Sequence, residues 1–105
     1  MEVARVLQQS KLGIYDNACR DFAEQVINLD GVLAVGAKPY LGYMDIWTIT
    51  RNYDYELEGK IINSLLAMMA KYDNLLFDFL ILPDGKLPKD YIVIYEVNDA
   101  NPIST

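Results

Sequence analysis

Two stretches of this chain carry apolar residues at helical spacing, and short runs of strand-forming residues follow each of them. The first stripe consists of Ile14, Ala18, Phe22 and Val26, flanked by Tyr15, Cys19, Ala23 and Ile27. The second consists of Leu57, Ile61, Leu65, Met68 and Tyr72. Apolar stripes this broad must face a common core. The pattern predicts two helices, the first ending near Asp30-Gly31 and the second capped by Asn52 or Asp54.

Four short segments have the composition of β-strands, namely residues 32–37, 45–50, 75–82 and 91–97. The third, LLFDFLIL, is apolar on both faces, which predicts a central position in the sheet. The segment 38–44, with Pro39 and Gly42, is predicted to be a linker, and Pro83-Asp84-Gly85 a turn. The fold class is therefore α+β, with one mixed four-stranded sheet packed with two helices in the order α-β-β-α-β-β.

A chain of 105 residues is predicted to form one domain. Residues 1–10 are expected to be a frayed arm or an earlier turn of the first helix, and residues 98–105 a loose tail. The N-terminus lacks the apolar segment of a signal peptide, and no apolar stretch approaches the roughly 20 residues of a membrane span. We therefore expect a cytoplasmic protein without membrane association.

The charge and the reactive side chains exclude several classes of function. Fifteen acidic and nine scattered basic residues give a net charge of −6, which argues against binding to nucleic acid. There is no histidine, so histidine-based catalysis and histidine-ligated zinc are excluded. The single cysteine, Cys19, cannot form an intrachain disulfide and falls on the apolar stripe of the first helix.

Two aspartates interrupt segments that otherwise look like buried strands. Asp45 opens the second strand, and Asp78 lies among apolar residues of the third. A carboxylate inside a strand is unfavourable unless it is paired or solvated. Both can be explained as solvated or locally satisfied residues at strand ends, and Lys38 as a surface lysine. They are also the candidates for a ligand or metal site.

Two glycines and two aspartates stand at fixed places in the predicted order of elements, namely Gly36-Ala37, Gly42, Asp45-Ile46-Trp47 and Asp78. With these positions and this order, the chain resembles the minimal nucleotidyltransferase domains of the polymerase-beta-like superfamily. The resemblance implies two Mg²⁺ ions held by three carboxylates. Here alanine stands at the serine position of the motif and Trp47 at its second carboxylate. The resemblance therefore implies a catalytically degenerate member of the superfamily, which acts by binding and uses no cofactor.

Two alternatives remain open at the level of sequence. In the first alternative, the chain is an active Mg²⁺-dependent nucleotidyltransferase. It then binds a nucleotide with Asp45 and Asp78, and Glu56 or Glu96 supplies the missing carboxylate. In the second, it is an unrelated α+β domain without a metal site, in which the aspartates are incidental.

Aromatic residues gather around the second strand and suggest an interface. They are Tyr40, Tyr43, Trp47, Tyr53 and Tyr55. Such rings are favoured at protein contacts, although Trp47 can equally be core with a rim of tyrosines. If both helices cover the same face of the sheet, the face with Trp47 and Ile49 is left bare. We therefore expect a homo-oligomer or a complex with a protein partner.

Overall fold

A computed structural model describes residues 12–97 of the chain. A 3₁₀ turn at Gly13–Tyr15 leads into helix α1 (Asp16–Val26). The strands β1 (Val32–Tyr40) and β2 (Tyr43–Thr50) follow, then helix α2 (Tyr55–Lys71) and the strands β3 (Phe77–Pro83) and β4 (Ile92–Glu96). The predicted α+β class and the order of elements are confirmed. The expected arm at 1–10 and tail at 98–105 lie outside the described residues.

The four strands form one mixed sheet in the order β3-β2-β1-β4. β1 is antiparallel to both β2 and β4, and β2 is parallel to β3. Strands β2, β3 and β4 therefore run in the same direction, with β3 and β4 at opposite edges.

Both helices pack on one face of this sheet, called here the helix face. A single cluster of buried side chains joins Phe22 and Val26 of α1, Ile61 and Leu65 of α2, and Ile46 of β2. Burial raises the pKa of the Cys19 thiol in this cluster to about 12, with a smaller contribution from nearby Asp16. Between residues 12 and 97, neither helix is long and apolar enough to cross a membrane.

Local sequence explains most of the boundaries of these elements. The Oδ1 atom of Asp54 accepts a hydrogen bond from the Leu57 N–H at 3.1 Å and caps α2, as predicted. Helix α1 is shorter than predicted at both ends. Its first turn is a 3₁₀ turn in which Ile14 is 77% exposed, and it ends at Val26 and not near Asp30-Gly31. The linker predicted at 38–44 is wrong. The strands run up to a two-residue turn, Leu41-Gly42, in which Gly42 takes a φ of 91°.

The prediction that the third strand is central is also wrong, since β3 lies at an edge of the sheet. Its composition is misleading because the apolar side chains of β3 are covered unequally. Phe77 and Ile81 pack against the core, whereas Phe79 on the same face and Leu80 on the free face remain 36% and 39% exposed. An apolar edge strand of this kind is unusual in a single chain.

The face opposite the helices, called here the free face, is crossed by the connection from β3 to β4. Residues 84–91 leave one edge of the sheet and reach the other, so they must pass over β2 and β1. Leu87 of this connection lies against Gly36 of β1, where an added Cβ would come within 2.8 Å of its Cδ1 atom. The free face is therefore partly covered, which corrects the expectation of a bare surface.

Geometry dictates that this connection is an extended strap and not a helix. From Pro83 to Ile92 it must cross three strand spacings and descend four residues of sheet, a diagonal of roughly 20 Å. Eight helical residues would span only about 12 Å. The connection β2–α2–β3 runs over the helix face toward the β3 edge, and the strap runs over the free face in the opposite direction, toward the β4 edge. Because both the direction and the face are reversed, the two crossovers have the same hand.

The contact between Leu87 and Gly36 can be tested by filling the space that the glycine leaves. Gly36→Val is expected to push Leu87 off the sheet and lower the free energy of unfolding by about 1–3 kcal/mol. Removing the obstructing side chain in the double variant Gly36→Val, Leu87→Ala should make the combined loss smaller than the sum of the single losses. Urea unfolding followed by circular dichroism measures all four proteins.

Gly59→Ala provides the matched control, because a Cβ at this position of α2 meets nothing within 4 Å. It should stabilise the chain by about 0.5–1 kcal/mol through helix propensity. Strictly additive losses for Gly36→Val and Leu87→Ala would contradict the strap.

Candidate functional site

The three candidate ligand residues lie side by side across the sheet. Asp45 of β2 is the register partner of Lys38 on β1 and of Asp78 on β3. Register partners point to the same face, so all three side chains lie on the free face near the β1–β2 turn. The two aspartates are thus neighbours on parallel strands.

Asp45 is half-buried, and its carboxylate already accepts hydrogen bonds from two side chains. Its Oδ2 atom accepts a hydrogen bond from the Trp47 indole N–H at 3.0 Å and another from the Tyr91 hydroxyl. The rings of Trp47 and Tyr91 lie 5.1 Å apart, tilted by 46°. Burial, and then the hydrogen bond to Asp45, raise the pKa of Tyr91 well above its usual value. The carboxylate is therefore held between two aromatic side chains.

Lys38 does not turn toward Asp45. Its Nζ atom lies 2.5 Å from Asp90 Oδ2 on the strap, and this bond raises the pKa of the ammonium. The same atom lies 5.0 Å from the ring of Tyr40, which stacks on Tyr43 across the turn at 5.0 Å. The pair of Lys38 and Asp90 fastens the end of the strap to β1.

Asp78 is exposed and makes only a local contact. Its Oδ1 atom accepts the N–H of the next residue, Phe79, at 2.9 Å. The edge position of β3 leaves the carboxylate in water, so it needs no buried partner. Lys71, a residue that could have neutralised it, instead binds Asp21 of α1 at 2.9 Å.

The five aromatic interface candidates separate into two groups. Tyr40, Tyr43 and Trp47 lie near the β1–β2 turn and the row of candidate ligands. Tyr53 and Tyr55 lie beyond the other end of β2, at 65% and 78% exposure. The five side chains therefore lie around both ends of β2, as their positions in the sequence indicate, and the length of the strand separates the two groups.

A two-metal site does not fit these side chains. Two bridged Mg²⁺ ions need at least three carboxylates, and residues 12–97 contain no group of three or more His, Cys, Asp and Glu side chains that could hold a metal ion. Glu96 pairs with Ala34, about four strand residues from Asp45, and Glu56 lies in the first turn of α2, beyond the far end of β2. Neither supplies the missing carboxylate.

Sequence reasoning missed two residues of this site, Asp90 and Tyr91. Both belong to the strap, and no local motif marks them. They reach the row only because β4 lies at the edge opposite β3. Parallel crossovers share one hand. If the strand order had been known, this rule would have placed residues 84–91 on the free face.

The bond between Tyr91 and Asp45 predicts a specific dependence of stability on pH. Because the folded chain raises the pKa of Tyr91, this stabilisation is fully present below about pH 10 and is lost as the pH rises further. Tyr91→Phe should lower the free energy of unfolding at pH 7 by about 1–2 kcal/mol. In urea unfolding, the free energy of unfolding of Tyr91→Phe should also fall less steeply between pH 10 and 11 than that of the unaltered protein.

The control is Tyr53→Phe, which alters an exposed tyrosine at the far end of β2. It should follow the unaltered protein at every pH. If Tyr91→Phe and Tyr53→Phe give the same profile, the bond does not stabilise the fold.

Comparison with known proteins adds no relative on which function could be based. No family model, curated protein or solved structure matches the chain. The contacts of residues 12–97 are therefore the basis for inferring function.

Proposed function

We propose that this chain is a binding protein that associates with a second copy of itself through the outer edge of β3. The observation that carries the proposal is an apolar strand whose outer backbone groups have no strand beside them among residues 12–97. Phe79 and Leu80 are partly exposed within the strand, and Leu76, just before it, is 67% exposed. An edge of this kind is a template for pairing with another strand.

The ladder to β2 fixes which backbone groups face outward. The Met44 N–H donates to the Leu76 carbonyl at 3.0 Å, and the Asp84 N–H donates to the Thr50 carbonyl at 2.8 Å. Since the ladder of a parallel pair engages alternate residues, the even positions of β3 bond to β2. Phe77, Phe79 and Ile81 therefore direct their N–H and C=O groups away from the sheet.

Antiparallel pairing of two copies with Leu80 on the two-fold axis pairs the outward groups of Phe79 and Ile81 and keeps the two Asp78 carboxylates apart. Phe79 then lies opposite Ile81 of the second copy, and the two residues exchange hydrogen bonds. Asp78 lies opposite Leu82 of the second copy, which keeps the two aspartates about four residues apart. Shifts that bring Asp78 of the two copies together are destabilised by repulsion.

Two features of the strand limit how tightly it pairs. Asp78 carries a charge beside the edge and occupies the Phe79 N–H, and Pro83 has no N–H to donate. Each copy also carries a net charge of −6, so two copies repel at low salt. We therefore expect reversible association that strengthens as salt is added.

Self-association predicts a mass above 12.0 kDa for the pure protein at high concentration. Leu80→Lys places two charges together at the axis, so it should weaken association at least tenfold. Asp78→Asn removes the nearby charge and should strengthen it about two- to fivefold. Sedimentation equilibrium at several protein concentrations measures each constant.

The matched control is Leu66→Lys, the same substitution at an exposed leucine of α2. It should leave the association constant unchanged. A monomer at every concentration, or equal losses for Leu66→Lys and Leu80→Lys, would overturn the proposal.

Descent from a nucleotidyltransferase-like domain forms the second element of the proposal. Its support is the adjacency of Asp45 and Asp78 on parallel strands. The chain would be a degenerate member, because Trp47 stands at the second carboxylate and bonds to Asp45. The alternative, an active Mg²⁺-dependent enzyme, would need a third carboxylate in the same row.

The degenerate interpretation predicts that the purified protein transfers no nucleotide. Incubation with each labelled nucleoside triphosphate and Mg²⁺ or Mn²⁺ should leave protein and small acceptors unlabelled, because the row holds too few ligands for two ions. Transfer that Asp45→Asn abolishes, while Asp84→Asn on the strap leaves it intact, would instead establish the active enzyme.

A further inference from the structure

The strap does not lie flat on the free face along its whole length. It borders a cleft of about 540 Å³ that is open to solvent and lies against β1, β2 and β4. Ala34, Ile49 and Val93 line it from the sheet, and Leu87 and Pro88 from the strap. The volume lies in the range of sites for small molecules, and these apolar side chains suit an apolar ligand body.

The charges around this cleft are opposite to those of the whole protein. Its charged lining residues are Lys86, Lys89 and Glu96, a net charge of +1 on a chain of net charge −6. Both lysines are exposed and stand three residues apart on the strap. The cleft is thus a local positive site on an acidic protein.

Neither lysine forms an ion pair with another residue of the described part of the chain, residues 12–97. Between residues 12 and 97, ion pairs engage Arg20, Lys38, Arg51 and Lys71 with aspartates. Lys86 and Lys89 have no such partner in that part of the chain. Among the described basic residues, only Lys60 on α2 also lacks an ion pair. Two cations without an ion-pair partner among residues 12–97, at the rim of a cleft with both apolar and polar lining, match a small ligand that has an apolar body and an anionic group.

We infer that the cleft beneath the strap binds a small organic anion with an aromatic or aliphatic body. The body contacts Ile49, Val93 and Leu87, and the anionic group lies at the rim beside Lys86 and Lys89. This site is separate from the outer edge of β3, so its occupancy does not depend on self-association. It adjoins the row of Lys38, Asp45 and Asp78 through Tyr91, which lines the cleft and donates a hydrogen bond to Asp45.

The probe for this site is 8-anilinonaphthalene-1-sulfonate, a sulfonate on an aromatic body whose fluorescence rises on binding. Titration should give saturable binding, with chemical-shift changes concentrated at the amides of Ala34, Ile49 and Val93. The double variant Lys86→Gln, Lys89→Gln should weaken binding at least fivefold. Lys60→Gln, which removes an equally exposed cation elsewhere, should leave it unchanged.

A neutral probe of the same shape, N-phenyl-1-naphthylamine, separates charge from apolar contact. It should bind more weakly than the sulfonate to the unaltered protein and equally well to the double lysine variant. Unfolding midpoints of all variants should coincide, which excludes binding to partly unfolded chains. No saturable binding below 1 mM, shifts spread away from the cleft, or equal losses for Lys60→Gln and the double variant would overturn the inference.

Discussion

The strap from β3 to β4 is the constraint on which the other features of this molecule depend. Because β3 pairs with β2 and β4 pairs with β1, eight residues must cross the free face of the sheet. Leu87 against Gly36, the pair of Lys38 and Asp90, and the bond of Tyr91 to Asp45 hold the strap there. The crossing covers Trp47 and Ile49 and borders the cleft, and within residues 12–97 it leaves β3 with no strand on its outer side.

This arrangement changes the meaning of the two aspartates. Asp45 is a partly buried carboxylate whose Oδ2 atom is satisfied by an indole and a phenol, so its contacts explain its presence by structure alone. Asp78 makes pairing of another strand with the apolar edge of β3 less favourable, because it carries a charge and accepts a hydrogen bond from the Phe79 N–H. Their adjacency supports the nucleotidyltransferase-like proposal, whereas their present contacts serve the strap and the edge.

Local sequence patterns were enough to predict the class and the order of elements, because helical stripes and capping residues act over a few positions. Asp54 capped α2 as expected, and the stripe from Leu57 to Met68 formed the core face. The position of β3 could not be predicted, because an edge strand that packs on one side has the composition of a central one. The roles of Asp90 and Tyr91 depend on strand order, which no local pattern encodes.

The most direct test of the account is amide hydrogen exchange along β3 at low and high protein concentration. The N–H groups of Leu80 and Leu82 point to β2, so they should be protected at both concentrations. The outward N–H of Ile81 should exchange fast in dilute solution and become protected as the concentration rises. Exchange at Ile81 that stays fast in concentrated solution, or protection already complete in dilute solution, would contradict an open edge that pairs with a second copy.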